Sequence, residues 1–289
     1  VHFKSKAKSK VIGILTDSII ANIPLMKIAA HFKLKESVSW YMPLLHNKYS
    51  KIYYSKIFNY TSKIDREEEM DVGGTGYSLI KKLPSSIDRL DPDYSIYPEI
   101  DYSLQYYSRG CPRKCKFCVV PNKEGGIHKV KPMKLNRNGK YIKVLDNNFF
   151  ANKQWKESMS HLIKCMQPVS FDSGIDIRLF NDDQGEALKK IRIHKYLYIA
   201  WDNPAEDLTN KIELLKKYIR PYKITVYVLI GFNSTAEEDY YRVMKIKELK
   251  CNPFVMPYDK YNEYQKNFSR WVNRKPIFKS VPWKEYKNK

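Results

Sequence analysis

The chain has 289 residues, 43% of them hydrophobic and 14% aromatic, with 52 Lys or Arg against 31 Asp or Glu for a net charge of +21. That length and apolar content suit one large or two smaller globular domains, and the absence of any run of about 18 apolar residues argues against a transmembrane helix or a membrane partner. Five cysteines, three of them clustered, are too few for a secreted disulfide framework and point to a reducing, cytoplasmic compartment.

Residues 1–10 are basic and carry neither an initiator methionine nor an apolar signal core, so a tail on a trimmed cytoplasmic chain is expected there. Strand-like runs follow at 10–17, 37–41, 51–58 and 70–72. Between the first two, residues 21–35 have helical spacing through Leu25, Ile28, Ala29 and Phe32, with Pro24 in the first turn. This order predicts a small Rossmann-like or flavodoxin-like parallel α/β domain over 1–92. Gly73, Gly74 and Gly76 can form an anion nest after the fourth strand or, as the simpler reading, a tight turn. A linker rich in Pro, Asp and Ser covers 83–98.

Strand and helix then alternate six times. Strands are expected at 102–108, 141–146, 169–177, 196–201, 224–230 and 253–256. Helices are expected at 153–166 and 182–193, after Asn203-Pro204 with Glu206 and Asp207 in the first turn, and after Ser234 or Thr235 with Glu237, Glu238 and Asp239. Right-handed crossovers would curl such units into a partial (β/α)6 TIM-like barrel with its site at the carboxyl ends of the strands.

The loop after the first of these strands reads Cys111-Pro-Arg-Lys-Cys115-Lys-Phe-Cys118. Three thiolates in one loop point to a [4Fe-4S] cluster with one iron left open, able to chelate the amine and carboxylate of S-adenosylmethionine. Arg113, Lys114 and Lys116 would partly offset the anionic cluster. A zinc site would need a fourth ligand such as His128, and three cysteines within eight residues fit zinc pairs poorly. Cys165 and Cys251 read as small buried residues. Between Arg109 and Lys143 lie 11 Lys or Arg, with Glu124 as the lone acid, a field that attracts nucleic acid or another polyanion. A solvated Lys-rich surface is the plainer reading.

The cysteine loop, its strand and the six repeats resemble the radical S-adenosylmethionine superfamily over 98–258. The resemblance implies a radical SAM barrel. Reductive cleavage of S-adenosylmethionine to a 5′-deoxyadenosyl radical would be fed by a one-electron donor such as flavodoxin or ferredoxin. It assigns the cluster to Cys111, Cys115 and Cys118, and Phe117 to the adenine. Asp146, where the family often has Gly-Gly-Glu, would take the cofactor's ammonium. Arg178 would pair with its carboxylate, or form an ordinary salt bridge. Asp202 would bind the ribose hydroxyls, or cap a helix. Gly231 and Met256 would offer close backbone approach. The basic stretch 123–140 shows no helical period where the family has its first helix.

The first domain resembles the cobalamin-binding-like domain of one branch, yet Asp17 is followed by Ser-Ile-Ile where an Asp-x-His-x-x-Gly ligand loop would be needed, which argues against cobalamin. Residues 259–289 alternate nine cations with aromatics, expected to pack on the barrel or to stack on bases. The function expected is modification of an unidentified substrate, nucleic acid or nucleotide in one reading and a peptide or small metabolite in another. A non-catalytic zinc or iron–sulfur module that binds nucleic acid is the competing class.

Overall fold

The computed structural model describes residues 10–287. The basic start of the chain therefore lies almost wholly outside the described residues. Two compact units emerge: one runs to Leu104 and includes Met133–Gly139, and the other comprises Gln105–Pro132 and Lys140–Lys289. The stretch read as a linker falls within the first unit, and the aromatic extension belongs to the second. No helix among the described residues is long and apolar enough to cross a membrane.

The first unit contains β1 (Val11–Thr16), α1 (Ile23–Phe32), β2 (Ser37–Trp40), β3 (Tyr49–Ser55), β4 (Asp71–Gly73) and the single turn α2 (Ser85–Asp88). Its strands form one sheet in the order β2-β1-β3-β4, with every pairing parallel. Asn22 caps α1 by accepting from the Leu25 N–H, and Pro24 occupies the first turn, where its missing donor costs nothing. Ile14, Leu25, Ile28 and Ile87 form one core, and Ile52, Tyr54, Met70 and Val72 another. β3 stops at Ser55, short of the expected 58, because the Asp17 carboxylate takes the N–H groups of Ile57 (2.7 Å) and Phe58 (3.1 Å) and the Thr61 hydroxyl (2.6 Å). The glycine turn after β4 lies against that same segment. A Cβ on Gly74 would stand 2.3 Å from the Lys56 carbonyl oxygen, and one on Gly76 2.4 Å from the Phe58 backbone. These glycines permit close packing of two backbones.

The second unit begins within β5 (Tyr102–Gln105) and continues with β6 (Ser108–Arg109), α3 (Val120–Lys123), β7 (His128–Lys129), β8 (Tyr141–Val144), α4 (Trp155–Lys164), β9 (Val169–Phe171), α5 (Asp182–Lys189), β10 (Leu197–Ala200), α6 (Thr209–Lys216), β11 (Ile224–Ile230), α7 (Ala236–Glu248), β12 (Asn252–Pro257), α8 (Glu263–Asn273), α9 (Lys275–Ser280) and α10 (Trp283–Lys287). Two three-stranded sheets run β5-β8-β9 and β10-β11-β12, and β8-β9, β10-β11 and β11-β12 are parallel. Single parallel bridges, Val169 to Ile193 and Ile175 to Ile199, connect β9 and its extension to the β10 side. Neighbouring strands thus follow chain order.

On β10 to β12 one face is fully apolar: Leu197, Ile199, Val226, Val228, Ile230 and Val255 are all buried. Helix α7, begun by a capping box between Thr235 and Glu238, buries Val243 and Ile246. Beyond residue 259, Phe268, Trp271 and Phe278 are buried, and the Trp271 indole N–H donates to the Val281 carbonyl (2.8 Å).

Three sequence expectations give way to local hydrogen bonding. The first strand breaks after Gln105, and a separate β6 pairs antiparallel with β7. The third ends at Phe171, because Gly174 adopts φ +77° in the turn that follows, before Ile175 rejoins the ladder. The helix expected from Asn203-Pro204 begins at Thr209 instead. There the Asn203 side chain accepts from the Ala205 N–H (3.1 Å), and the Trp201 indole N–H holds the Glu206 carbonyl (2.7 Å), so the backbone turns before it can coil.

The outer edge of β12 is covered by a side-chain amide. Asn273 Oδ1 accepts from the Val255 N–H (2.8 Å) and its Nδ2 donates to the Val255 carbonyl (2.9 Å). Replacement Asn273→Ala should cost about 1–3 kcal/mol, since it orphans both groups of a buried residue. A lowered urea midpoint at unchanged slope is the expected result.

Candidate functional site: the cysteine loop

Two carboxylates hold the approach to the cysteine loop. Asp146, buried just after β8, accepts from the N–H groups of Tyr107 (2.9 Å) and Ser108 (2.6 Å) and from the Ser108 hydroxyl (2.5 Å). Burial raises its pKa, and these donors only partly offset it. The residue expected to receive an ammonium therefore has its oxygens engaged by β6. Glu124, after α3, reaches back to the loop's start. It takes both Arg109 Nε (3.0 Å) and Nη2 (2.6 Å), the Gly110 N–H (3.0 Å) and the Asn147 amide (2.7 Å). Burial pushes its pKa up, but the bidentate guanidinium and the other donors outweigh it and hold the carboxyl at about 2.

The loop closes on its own backbone: the Cys111 N–H donates to the Gly125 carbonyl (3.2 Å), and the Cys118 N–H to that of Cys115 (3.0 Å). All three cysteines are free and half-buried. The Arg113 N–H lies 3.4 Å from Cys111 Sγ, and Asn148 Nδ2 lies 3.7 Å from the same sulfur. Asn148 is only 3% exposed, and its Oδ1 has no hydrogen-bond partner. An orphaned buried acceptor costs about 1–3 kcal/mol, so this oxygen is a place where a donor from outside the chain would be stabilising.

Asp176 is the hub beside it. Its oxygens accept from Arg113 Nε (3.0 Å), Arg178 Nε (2.6 Å) and Asn148 Nδ2 (3.1 Å). Burial opposes its ionisation, but the two guanidinium groups prevail and its pKa is lowered. Arg178 also lies 3.6 Å from Glu206, on the loop that replaced the expected helix start. Arg178 and Asp202 are both electrostatic neighbours of Cys115, whose thiol is pushed up by burial and drawn partly back by Arg178. The sequence-stated residues Cys111, Cys115, Cys118, Arg178 and Asp202 are thereby brought to one region.

Asp202 accepts from the Leu229 N–H (3.2 Å), and burial raises its pKa. Behind it the buried Arg242 donates to the carbonyls of Trp201 (2.8 Å), Asp202 (3.1 Å) and Leu229 (3.0 Å) and pairs with Asp239 (2.6 Å). Gly231, at φ +73°, ends β11. A Cβ there would stand 1.9 Å from the Gln265 amide, and the positive φ itself favours glycine. Phe117, 36% exposed, meets Phe232 edge-on at 5.4 Å, and Phe232 lies 4.9 Å from Tyr258. Met256 is half-buried on β12, paired with Leu229.

Asn148, Asp176, Glu124, Arg242 and Phe232 were not singled out from the sequence. Glu124 had a signal, as the lone acid among eleven cations. Among the described residues, no group of three or more His, Cys, Asp or Glu is arranged to hold a metal ion. His128 is exposed, with Nδ1 on the Gly126 carbonyl (3.1 Å). Cys251 is buried as expected, whereas Cys165 is half-buried beside His161 (3.8 Å). No family model matches this sequence, and no curated protein matches it.

Because the folded pKa of Glu124 is about 2 against an ordinary 4.5, its stabilisation is complete above pH 4.5 and drains away as pH falls toward 2. The full contribution is at most about 3 kcal/mol, reduced by solvent screening of this half-buried pair. Acid unfolding of Glu124→Gln should therefore show a shallower loss between these pH values than the parent, followed by circular dichroism.

Proposed function

We propose that this chain is a radical S-adenosylmethionine enzyme whose loop carries a [4Fe-4S] cluster on Cys111, Cys115 and Cys118. The observation that carries this reading is the loop itself: three free thiols at C-x3-C-x2-C spacing beside the partnerless Oδ1 of buried Asn148. Three thiolates within eight residues of one loop fit the paired ligands of a zinc site poorly, whereas a cubane distributes such ligands over separate iron atoms. Strand neighbours in chain order, with helices between, support a partial (β/α)6 barrel with the loop at a carboxyl end.

Such a cluster, when bound, supplies the electron that splits the sulfonium of S-adenosylmethionine into methionine and a 5′-deoxyadenosyl radical. The chain's own part is binding and orientation. Asn148 Oδ1 accepts from the cofactor's ammonium, in place of Asp146, which instead positions the strand ahead of the loop. Arg178, poised by Asp176 and Glu206, presents its remaining donors to the carboxylate. Phe117, with Phe232 and Tyr258, gives the adenine an apolar wall, and Asp202 offers its second oxygen to the ribose. Gly231 and Met256 line the approach. The reductant is a one-electron donor of the flavodoxin or ferredoxin type, and the +21 charge favours an anionic substrate.

Anaerobic reconstitution should give about four irons and four sulfides per chain, and reduction with S-adenosylmethionine should release 5′-deoxyadenosine. Cys115→Ala should lose both. Asn148→Leu should keep the iron while forming 5′-deoxyadenosine about tenfold more slowly, the worth of one hydrogen bond. About one zinc without sulfide would overturn the proposal.

A further inference from the structure

Strand alternation gives β10, β11 and β12 a second face, opposite the apolar one that buries Val226, Val228 and Val255. That second face carries Tyr198, Tyr227 and Phe254. Tyr198 and Tyr227 are stacked on one another with nearly parallel planes, ring centroids 5.2 Å apart and planes at 6°. Phe254 meets Tyr227 edge-on at 5.7 Å and is 42% exposed. Both tyrosines are only half-buried.

Cations border this face. Lys143, the end of the eleven-cation stretch, pairs with Asp172 (3.3 Å), and both lie within electrostatic reach of Tyr198. Lys275 stands over the Tyr196 ring at 4.8 Å, and Tyr196 lies 6.5 Å from Tyr198. Burial, then Tyr198 and the Asp172 carboxylate, push the Tyr227 pKa up to about 12.

We propose that this face is a stacking platform for the bases of a single-stranded nucleic acid, whose phosphates are drawn by the surrounding lysines. The proposal deepens the enzyme reading above and rests on it for its significance, though not for its measurement. Aromatic rings accept any base on their π faces, while cations track the backbone, and the two together are the ordinary means of holding an unpaired strand. A neutral or basic peptide would not call for the excess of positive charge.

The test is fluorescence anisotropy of 5′-labelled twelve-nucleotide oligoadenylate and oligouridylate against the full chain across a salt series. Both should bind, the adenylate more tightly because purines stack better. Phe254→Ser, at an exposed position, and Tyr227→Leu should each weaken binding about 5- to 100-fold with the salt slope unchanged. Lys143→Gln should reduce that slope by about one. Unaltered affinity in Phe254→Ser and Tyr227→Leu, no binding of either oligonucleotide, or preferential binding of an acidic peptide would overturn the platform. Formation of 5′-deoxyadenosine, assayed separately, reports on the enzyme reading alone, so the two can fail independently.

Discussion

The cysteine loop depends on two carboxylates, buried Asp146 and half-buried Glu124, that take backbone N–H groups. Asp146 holds Tyr107 and Ser108, and Glu124 holds Arg109 and Gly110, so four consecutive residues before Cys111 are tied down from two directions. An eight-residue loop with Arg113, Lys114 and Lys116 would otherwise splay under its own charge. Each carboxylate is costly to bury, and the return comes from charge-assisted hydrogen bonds in a poorly screened setting. The result is a loop with fixed ends and free thiols.

The opposite side of the same region follows a similar logic with the sign reversed. Arg242 gathers three strand-end carbonyls and one carboxylate in a site that is 1% exposed, so the ends of β10 and β11 are joined by a guanidinium. Losing one partner of such a pair commonly costs about 3–5 kcal/mol. Asp202, whose backbone carbonyl Arg242 holds, is thereby fixed in place relative to Leu229.

Periodicity made most elements legible, because β11 and α7 are long, strongly patterned and, for α7, capped by Thr235 with Glu238. The misreadings share one cause. At Asn203, Asp17 and Gly174 a side chain or a glycine redirects the backbone locally, and whether Asn203 caps a helix or closes a turn depends on where Trp201 sends its indole N–H. In the candidate site, the cysteine spacing was legible because it is written along the chain. Asn148 and Asp176 were not, since their meaning lies in partners 37 and 63 residues away. Asp146 and Asn148 are two positions apart, and only the folded chain distinguishes the one that faces β6 from the one that faces a thiol.

The amide of Asn273 on the rim of β12 has a consequence for biosynthesis. Val255 and Asn273 are 18 residues apart, so during vectorial synthesis the strand edge is made before its cover. At about 5–20 residues per second the interval is on the order of one to a few seconds. Through that window an unpaired parallel edge, bearing Phe254 and Met256, can recruit a strand from another nascent chain. The cover therefore has a kinetic role as well as a thermodynamic one, and crowding on a polysome is where its absence would first be felt.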